Sequence, residues 1–199
     1  MTDIFTNVSD FEQRLNLPNG FYTKLLEEDD WSFAVKLSAL FEAACTHTLV
    51  SKLGVPELEE NFAYLDQANS KYGKVKLLKN IGAIYPEQAT FLEKLASLRN
   101  KFAHDISNVG LTFDQLIKQM DSNQKQTFVK WAGHGVVEEA KYGNETISRS
   151  DFVLSNPKFS IWLTATEVLG CMYLEVELAE HVHNTGIYKW LKNITRPSI

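Results

Sequence analysis

The pattern of apolar and polar positions along this chain is helical over most of its length. Apolar residues recur three and four positions apart in residues 31–53 and again in residues 156–184, which places them on one side of an α-helix. Because further apolar residues lie on the other faces of the second segment, we expect that helix to be central or to lie between two partners. Its main stripe keeps the helical spacing for three heptads, through Trp162, Ala165, Leu169, Met172, Val176, Ala179 and His183.

Start and stop residues flank both of these segments. Gly54 and Pro56 follow the first segment, Asn156 and Pro157 open the second, and Gly186 follows its end. We therefore predict two long helices, of which the second is the longest element of the chain at about 40 Å.

The remaining segments predict shorter elements. Residues 1–29 indicate one or two short helices that are broken at residues 18–20, with Ser9 or Asp10 as the first N-cap. Residues 136–155 show little periodicity, so we predict a loop or a short hairpin there.

The composition fits one globular domain. Hydrophobic residues make up 44% of the 199 residues, with only 10 glycines and five prolines. This length allows a sizeable core, so we predict an all-α, single-domain helical bundle over residues 1–199, with a long C-terminal helix at residues 156–184. Cys45 and Cys171 lie inside helical patterns and form no metal-type cluster, which predicts free thiols and a reduced, intracellular compartment.

The charged residues are distributed unevenly. Residues 1–67 contain 12 acidic and four basic residues, a net charge of −8, and residues 68–199 contain 13 acidic and 16 basic residues, a net charge of +3. A chain with a total of −5 is a poor candidate for tight, non-specific nucleic-acid binding, which depends on phosphate neutralisation. A local basic surface within residues 68–199 is the alternative that this charge distribution leaves open. The first ten residues lack a signal-peptide pattern, and no stretch of about 18 uncharged apolar residues is present. We therefore expect a cytoplasmic protein without a membrane span.

A polar cluster near the end of a third predicted helix is a candidate site. This helix opens near Pro86, and its apolar stripe is formed by Phe91, Leu95, Leu98 and Phe102. Asn100 and His104 lie adjacent on the opposite side, whereas Arg99 and His104 are separated by about 140° around a straight helix. Arg99 and His104 can therefore act together only if the helix loosens or a second copy of the motif faces the first. Alternatively, the cluster is an ordinary helix end, where a histidine interacts favourably with the last carbonyl groups.

Other polar residues are expected to be structural. His47 lies at the edge of the apolar stripe of the first long helix, and Glu42 lies opposite that stripe. His134 lies between two glycines, where a plain loop histidine is expected and a mobile functional residue is the alternative. Residues 71–82 contain four lysines that do not share one helix face, which predicts a solvated surface. No glycine-rich phosphate loop, nucleophile elbow or metal-ligand spacing is present, so no cofactor is expected.

Residues 31–118 resemble a known family. The long helix at the start of this region is followed by residues 73–84 (GKVKLLKNIGAI), then by residues 98–105 (LRNKFAHD) and 111–117 (LTFDQLI). This order resembles the mannitol operon repressor family and, more broadly, the HEPN superfamily of all-α domains. The string Arg-Asn-x-x-Ala-His recurs in HEPN groups of differing activity.

The resemblance implies a chemistry for the polar cluster. In catalytically active HEPN proteins an arginine, the polar residue after it and a following histidine form a metal-independent ribonuclease site, and Arg99, Asn100 and His104 match this pattern. By this resemblance His104 would be the general acid or base toward a ribose 2′-hydroxyl, and Arg99 would stabilise charge on the phosphate. Asn100 would orient either group. HEPN domains commonly form dimers in which two such motifs face each other.

The mannitol operon repressor-like groups are regarded as regulators, so two functions of different class are open. We expect a bacterial-type regulatory or interaction protein without its own catalytic activity. The alternative is a metal-independent endoribonuclease of toxin or defence type that uses Arg99 and His104. For either function we expect a homodimer, with a further protein or RNA as partner and no membrane.

Overall fold

Helices follow one another along almost the whole described chain. The computed structural model describes residues 3–103, 106–142, 145–186 and 189–190. Its longer helices are α1 (Ile4–Arg14), α2 (Phe21–Lys24), α3 (Asp30–Leu53), α4 (Glu59–Ala63), α5 (Lys74–Asn80), α6 (Pro86–Ala103), α7 (Phe113–Gln119), α8 (Ser122–Ala132), α9 (Arg149–Ser155) and α10 (Pro157–Asn184). Short 3-10 segments lie at Leu25–Glu27, Pro56–Leu58 and Ile106–Gly110, and two strands are β1 (Glu139–Tyr142) and β2 (Glu145–Ser148).

Helix α3 begins and ends at residues whose chemistry suits those positions. The N-cap Asp29 accepts a hydrogen bond of 2.9 Å from the backbone N–H of Ser32. Gly54 ends the helix with a φ of 65°, a left-handed conformation that glycine adopts without a Cβ clash. The helix is long and apolar enough to cross a membrane, but 61% of its apolar 18-residue window is buried inside the fold, as in a central core helix.

Helices α3 and α10 form a central pair and run in the same direction. Lys158 lies 3.2 Å from Asp30 at their first turns, and Lys52 lies 2.6 Å from Glu175 further along. His183, the last residue of the predicted stripe on α10, is half-buried. The other stripe residues are at most 6% exposed, namely Trp162, Ala165, Leu169, Met172, Val176 and Ala179. The predicted long C-terminal helix is confirmed.

Helix α1 packs on another side of α10. Gly170 allows the two helices to approach closely, because a Cβ at this position would lie 2.8 Å from the Ile4 side chain. The residue before the helix is Asp3, so the prediction of Ser9 or Asp10 as the first N-cap is wrong. Helix α1 begins at Ile4, earlier than predicted, and Ile4 contacts α10. Sequence spacing does not reveal that contact.

Helix α6 runs antiparallel to α3. Trp31 of α3 donates a hydrogen bond of 3.0 Å from Nε1 to the carbonyl oxygen of Phe102, near the end of α6. Further along α3, Phe41 packs edge to face with Phe91, near the start of α6, with ring centroids 5.5 Å apart. All four residues of the predicted apolar stripe of α6 are buried.

Residues 136–155 form a hairpin and a helix. Strands β1 and β2 pair antiparallel, with Glu139 opposite Ser148, which agrees with the short hairpin that the sequence left open. Residues 143–144 lie outside the described part of the chain. Helix α9 was not predicted, because Val153 is its one buried residue and a helical period cannot show in so short a segment. The all-α class is confirmed, with the hairpin added to one side of the bundle.

Candidate functional site

The candidate motif lies in the C-terminal part of α6, which is a regular helix through Ala103. The Arg99 side chain is half-buried and the Asn100 side chain is exposed. Consecutive helical positions differ by about 100°, so these two side chains leave the helix in different directions. His104 lies outside the described residues. The structure places Arg99 and Asn100 on one helix end and does not bring their side chains together.

The carbonyl groups at this helix end have partners of their own. The carbonyl oxygen of Phe102 accepts the Trp31 bond, and that of Lys101 accepts a bond of 2.7 Å from the Asn108 side chain. The Arg99 side chain forms no hydrogen bond or ion pair with the residues that the structure describes. Arg99 is therefore not held in a polar network by that part of the chain.

A long groove lies between α6 and α8, on the same helix as the motif. Two adjoining cavities of about 490 and 230 Å³ share Lys94, Thr127 and Trp131 among their lining residues. We name these two cavities together the α6–α8 groove. The groove extends along α6 from Glu87 to Lys101, a distance of about 21 Å at the rise of an α-helix.

The floor of the α6–α8 groove is apolar. Leu98 of α6 and Phe128 and Trp131 of α8 contribute to it and are at most 8% exposed. The rings of Phe128 and Trp131 meet edge to face, with centroids 5.1 Å apart. Leu116 and Met120 continue this surface toward α7.

The rim of the groove carries mostly positive charge. Lys94, Lys101 and Lys130 line it, and Glu87 is the one acidic residue among the lining residues that the structure describes. None of the three lysines forms an ion pair within residues 3–103, 106–142 and 145–186. His134 and side chains with amide or hydroxyl groups complete the polar lining, so the rim carries more positive than negative charge.

The loop at the Glu87 end of the groove is tied to α10. His134 Nδ1 lies 2.7 Å from the carboxylate of Glu167, and the Gly135 N–H donates to Thr164 Oγ1 at 3.0 Å. A Cβ at Gly135 would lie 2.8 Å from the Cα of Thr164, so this loop passes very close to the α10 backbone. His134 therefore connects this loop to α10, a contact that the expectation of a plain loop histidine did not include.

A second polar cluster lies on the outer side of α3. A cavity of about 410 Å³ is lined there by Glu42, His47, Lys74, Glu59 and Arg14, among others. Lys74 is only 1% exposed, and its Nζ lies 3.7 Å from Glu42 Oε1 and donates to a backbone carbonyl oxygen at 3.3 Å. The prediction of solvated lysines is therefore wrong at this position. Sequence spacing gave no signal, because the inward direction of Lys74 depends on how α5 meets α3.

His47 is a rim histidine, as its position in the helical pattern predicts. Its burial lowers the pKa of the imidazole, and the positive charge of Arg14 lowers the pKa further. The ring centroid lies 6.0 Å from that of Phe11. Its Nε2 atom is buried and has no hydrogen-bond partner among the described residues.

Comparisons of the chain with protein-family models, with curated proteins and with solved structures find no match. The resemblance to the mannitol operon repressor family and the HEPN superfamily therefore stays a prediction that rests on the sequence motif. Within the described residues, no group of three or more His, Cys, Asp or Glu side chains could hold a metal ion.

Proposed function

We propose that this chain is a regulatory or interaction protein that docks a partner protein in the α6–α8 groove and has no catalytic activity of its own. The groove is the observation that carries the proposal, because it is an open concave surface with an apolar floor between polar rims. An apolar surface with a polar rim is typical of protein-docking sites. The regulatory class is also the one that the resemblance to mannitol operon repressor-like proteins implies. A cytoplasmic location without membrane contact stays a prediction.

The proposal includes a homodimer, and α10 offers a surface for it. Leu174, Leu178 and Val182 lie one turn apart on one face of this helix and are 52%, 53% and 44% exposed. An apolar stripe of this kind can meet the same stripe of a second copy across a two-fold axis.

This stripe lies at the other end of the bundle from the candidate motif. The Cys171 thiol lies beside the Gln88 side chain, near the start of α6, and the two helices run antiparallel. Leu178 lies beyond Cys171 toward one end of the bundle, and Arg99 lies beyond Gln88 toward the other end. Leu178 and Arg99 are therefore separated by on the order of 25 Å along the bundle. An antiparallel dimer through Leu178 would hold the two Arg99 side chains at opposite ends. Such a dimer favours the regulatory function over a shared catalytic site.

A metal-independent endoribonuclease is the second candidate function. The observation that favours it is the partly exposed guanidinium of Arg99, which has no polar partner among the described residues. In this candidate His104 would take the proton of a ribose 2′-hydroxyl as that oxygen attacks the adjacent phosphorus. The bond from phosphorus to the 5′-oxygen would break, which leaves a 2′,3′-cyclic phosphate, and the 5′-oxygen would take a proton from water. Arg99 would stabilise the charge on the phosphoryl oxygens, and Asn100 would orient either group.

An RNA cleavage assay separates the two functions. We expect the wild type to leave mixed cellular RNA intact with or without a chelator, and Arg99→Ala and His104→Ala to behave in the same way. Lys79→Ala is the matched control, since Lys79 is an exposed residue of α5 that belongs neither to the motif nor to the lining of the α6–α8 groove. Thermal melts verify folding, and light scattering measures the oligomeric state. Cleavage by the wild type that is lost in both folded motif variants would replace our proposal with the ribonuclease.

A further inference from the structure

We propose that the partner docked in the α6–α8 groove presents an acidic amphipathic helix. This inference rests on the proposed docking function and adds the chemistry of the partner. A groove about 21 Å long matches about four turns of an α-helix. Ridges of side chains on such a helix can pack into the seam between two neighbouring helices.

The two walls of the groove are antiparallel helices. In the larger cavity Lys101 of α6 lies with Gln119, the last residue of α7 just before α8, and in the smaller cavity Glu87 lies with Lys130, near the end of α8. The seam therefore stays continuous along both helices, with Thr127 at the point where the two cavities join. A continuous seam suits an elongated occupant better than a compact small molecule.

The floor suits the apolar stripe of an amphipathic helix. Met120, Phe128 and Trp131 follow one another along the groove, and Leu98 faces them from α6. Thioether and aromatic surfaces accept leucine, isoleucine or phenylalanine side chains of varied shape. A helix that presents one apolar residue per turn would place a side chain against each part of this floor.

The rim determines the charge of the partner. Lys94 and Lys101 stand two helical turns apart on the α6 rim, about 10 Å, and Lys130 lies on the α8 rim. A partner helix with glutamate or aspartate on both sides of its apolar stripe would meet positive charge on both rims. Complementary charges of this kind determine which partner is accepted and increase the association rate.

The same charge argues against two occupants from this chain. Residues 187–199 contain Lys189, Lys192 and Arg196 and no acidic residue, so their charge has the sign of the rim. The same groove of a second copy would place lysines against lysines. An acidic helix of a different protein is therefore the occupant that the charges favour.

The test uses a defined peptide as the probe. A fluorescent peptide of about 16 residues carries leucines at helical spacing with glutamates on both sides of them. A second peptide has lysine in place of every glutamate, and a third has the composition of the first in scrambled order. We expect the full chain to bind the glutamate peptide at least about tenfold more tightly than either control, with an affinity that falls as salt is added. Fluorescence polarisation measures the three affinities.

Two groove variants and one matched control locate the binding site. Lys94→Glu with Lys101→Glu reverses the charge of one rim, and we expect the preference to change to the lysine peptide. Thr127→Trp fills the groove where the two cavities join, and we expect it to weaken binding of the glutamate peptide. Lys76→Glu with Lys79→Glu makes the same charge change on the exposed side of α5 and should leave binding unchanged.

Thermal melts establish that each variant is folded, and Thr127→Trp keeps the test decisive if the charge reversal unfolds the chain. Equal binding of both charged peptides, or unchanged binding by the folded groove variants, would overturn the inference. Binding of a single-stranded RNA oligonucleotide that Lys94→Glu with Lys101→Glu abolishes would also overturn it and assign the groove to nucleic acid. RNA cleavage by the wild type would overturn the proposed function without changing the peptide result, so the two failures can be distinguished.

Discussion

The central pair of α3 and α10 and the outer pair of α6 and α8 both bury large apolar side chains, but only the central pair is closed. Leu37 of α3 and Leu169 and Met172 of α10 are at most 2% exposed. Phe128 and Trp131 of α8 are 2% and 8% exposed, yet they form the floor of an open groove. Apolar side chains of similarly low exposure therefore lie in a closed core in one region and beneath an open groove in the other.

The polar residues of the two pairs explain this difference. Helices α3 and α10 are apolar on more than one face, so neighbouring helices can cover them on several sides. Helices α6 and α8 carry Lys94, Lys101 and Lys130 beside their seam, and ammonium groups remain solvated unless a partner brings opposite charge. We therefore expect the central pair to provide stability and the outer pair to provide recognition.

The largest effect is expected from the loss of a core leucine. Leu169→Ala removes a side chain that is 2% exposed, and we expect the free energy of unfolding to fall by about 2–5 kcal/mol. Thr127→Ala in the groove should lower it by less than about 0.5 kcal/mol, because Thr127 is exposed. Denaturant titration measures both variants. Similar losses in the two variants would contradict the division between a stabilising pair and a recognition pair.

Thiol labelling compares the inside of the central pair with its edge. Both cysteines are free thiols, as the sequence predicts. Cys45 is fully buried, and its burial raises the pKa of its thiol to about 12. Cys171 is half-buried. We expect iodoacetamide to label Cys171 in the native protein and Cys45 only after unfolding, as read by intact mass. Cys171→Ser should remove the native label. Rapid native labelling of Cys45 would show that the central pair opens readily.

The smallest effect is expected from pH, through His47 on the outer side of α3. Burial holds the pKa of His47 in the folded protein below its ordinary value near 6.5, so the unfolded chain binds more protons as the pH falls through that value. The contribution of His47 to the free energy of unfolding is therefore largest above pH 6.5, where the ring is neutral in both states. It decreases as the pH falls below 6.5 and stops decreasing once the pH is below the pKa of the folded state. Denaturant midpoints should therefore fall more for the wild type than for His47→Gln as the solution is acidified. An equal fall in both proteins would assign the pH dependence to other groups.

Local sequence signals predicted the long helices, and the functional role of the candidate site stays a prediction. Gly54 and Pro157 lie at observed helix boundaries, because capping preferences act within one turn of the chain. The separate directions of Arg99 and Asn100 follow from the helical period alone. The same signals missed α9, since a helical period cannot show in a segment of seven residues with Val153 as its one buried residue.

By itself, the sequence determined the all-α class, the long C-terminal helix and the two free thiols, because these features depend on residue type and on spacing within a few turns. Only the tertiary structure decided that Lys74 points inward and that the seam beside Lys94 and Trp131 stays open. Both features depend on which helices meet and at what distance. That choice minimises the exposed apolar surface of the whole chain, and no single segment encodes it.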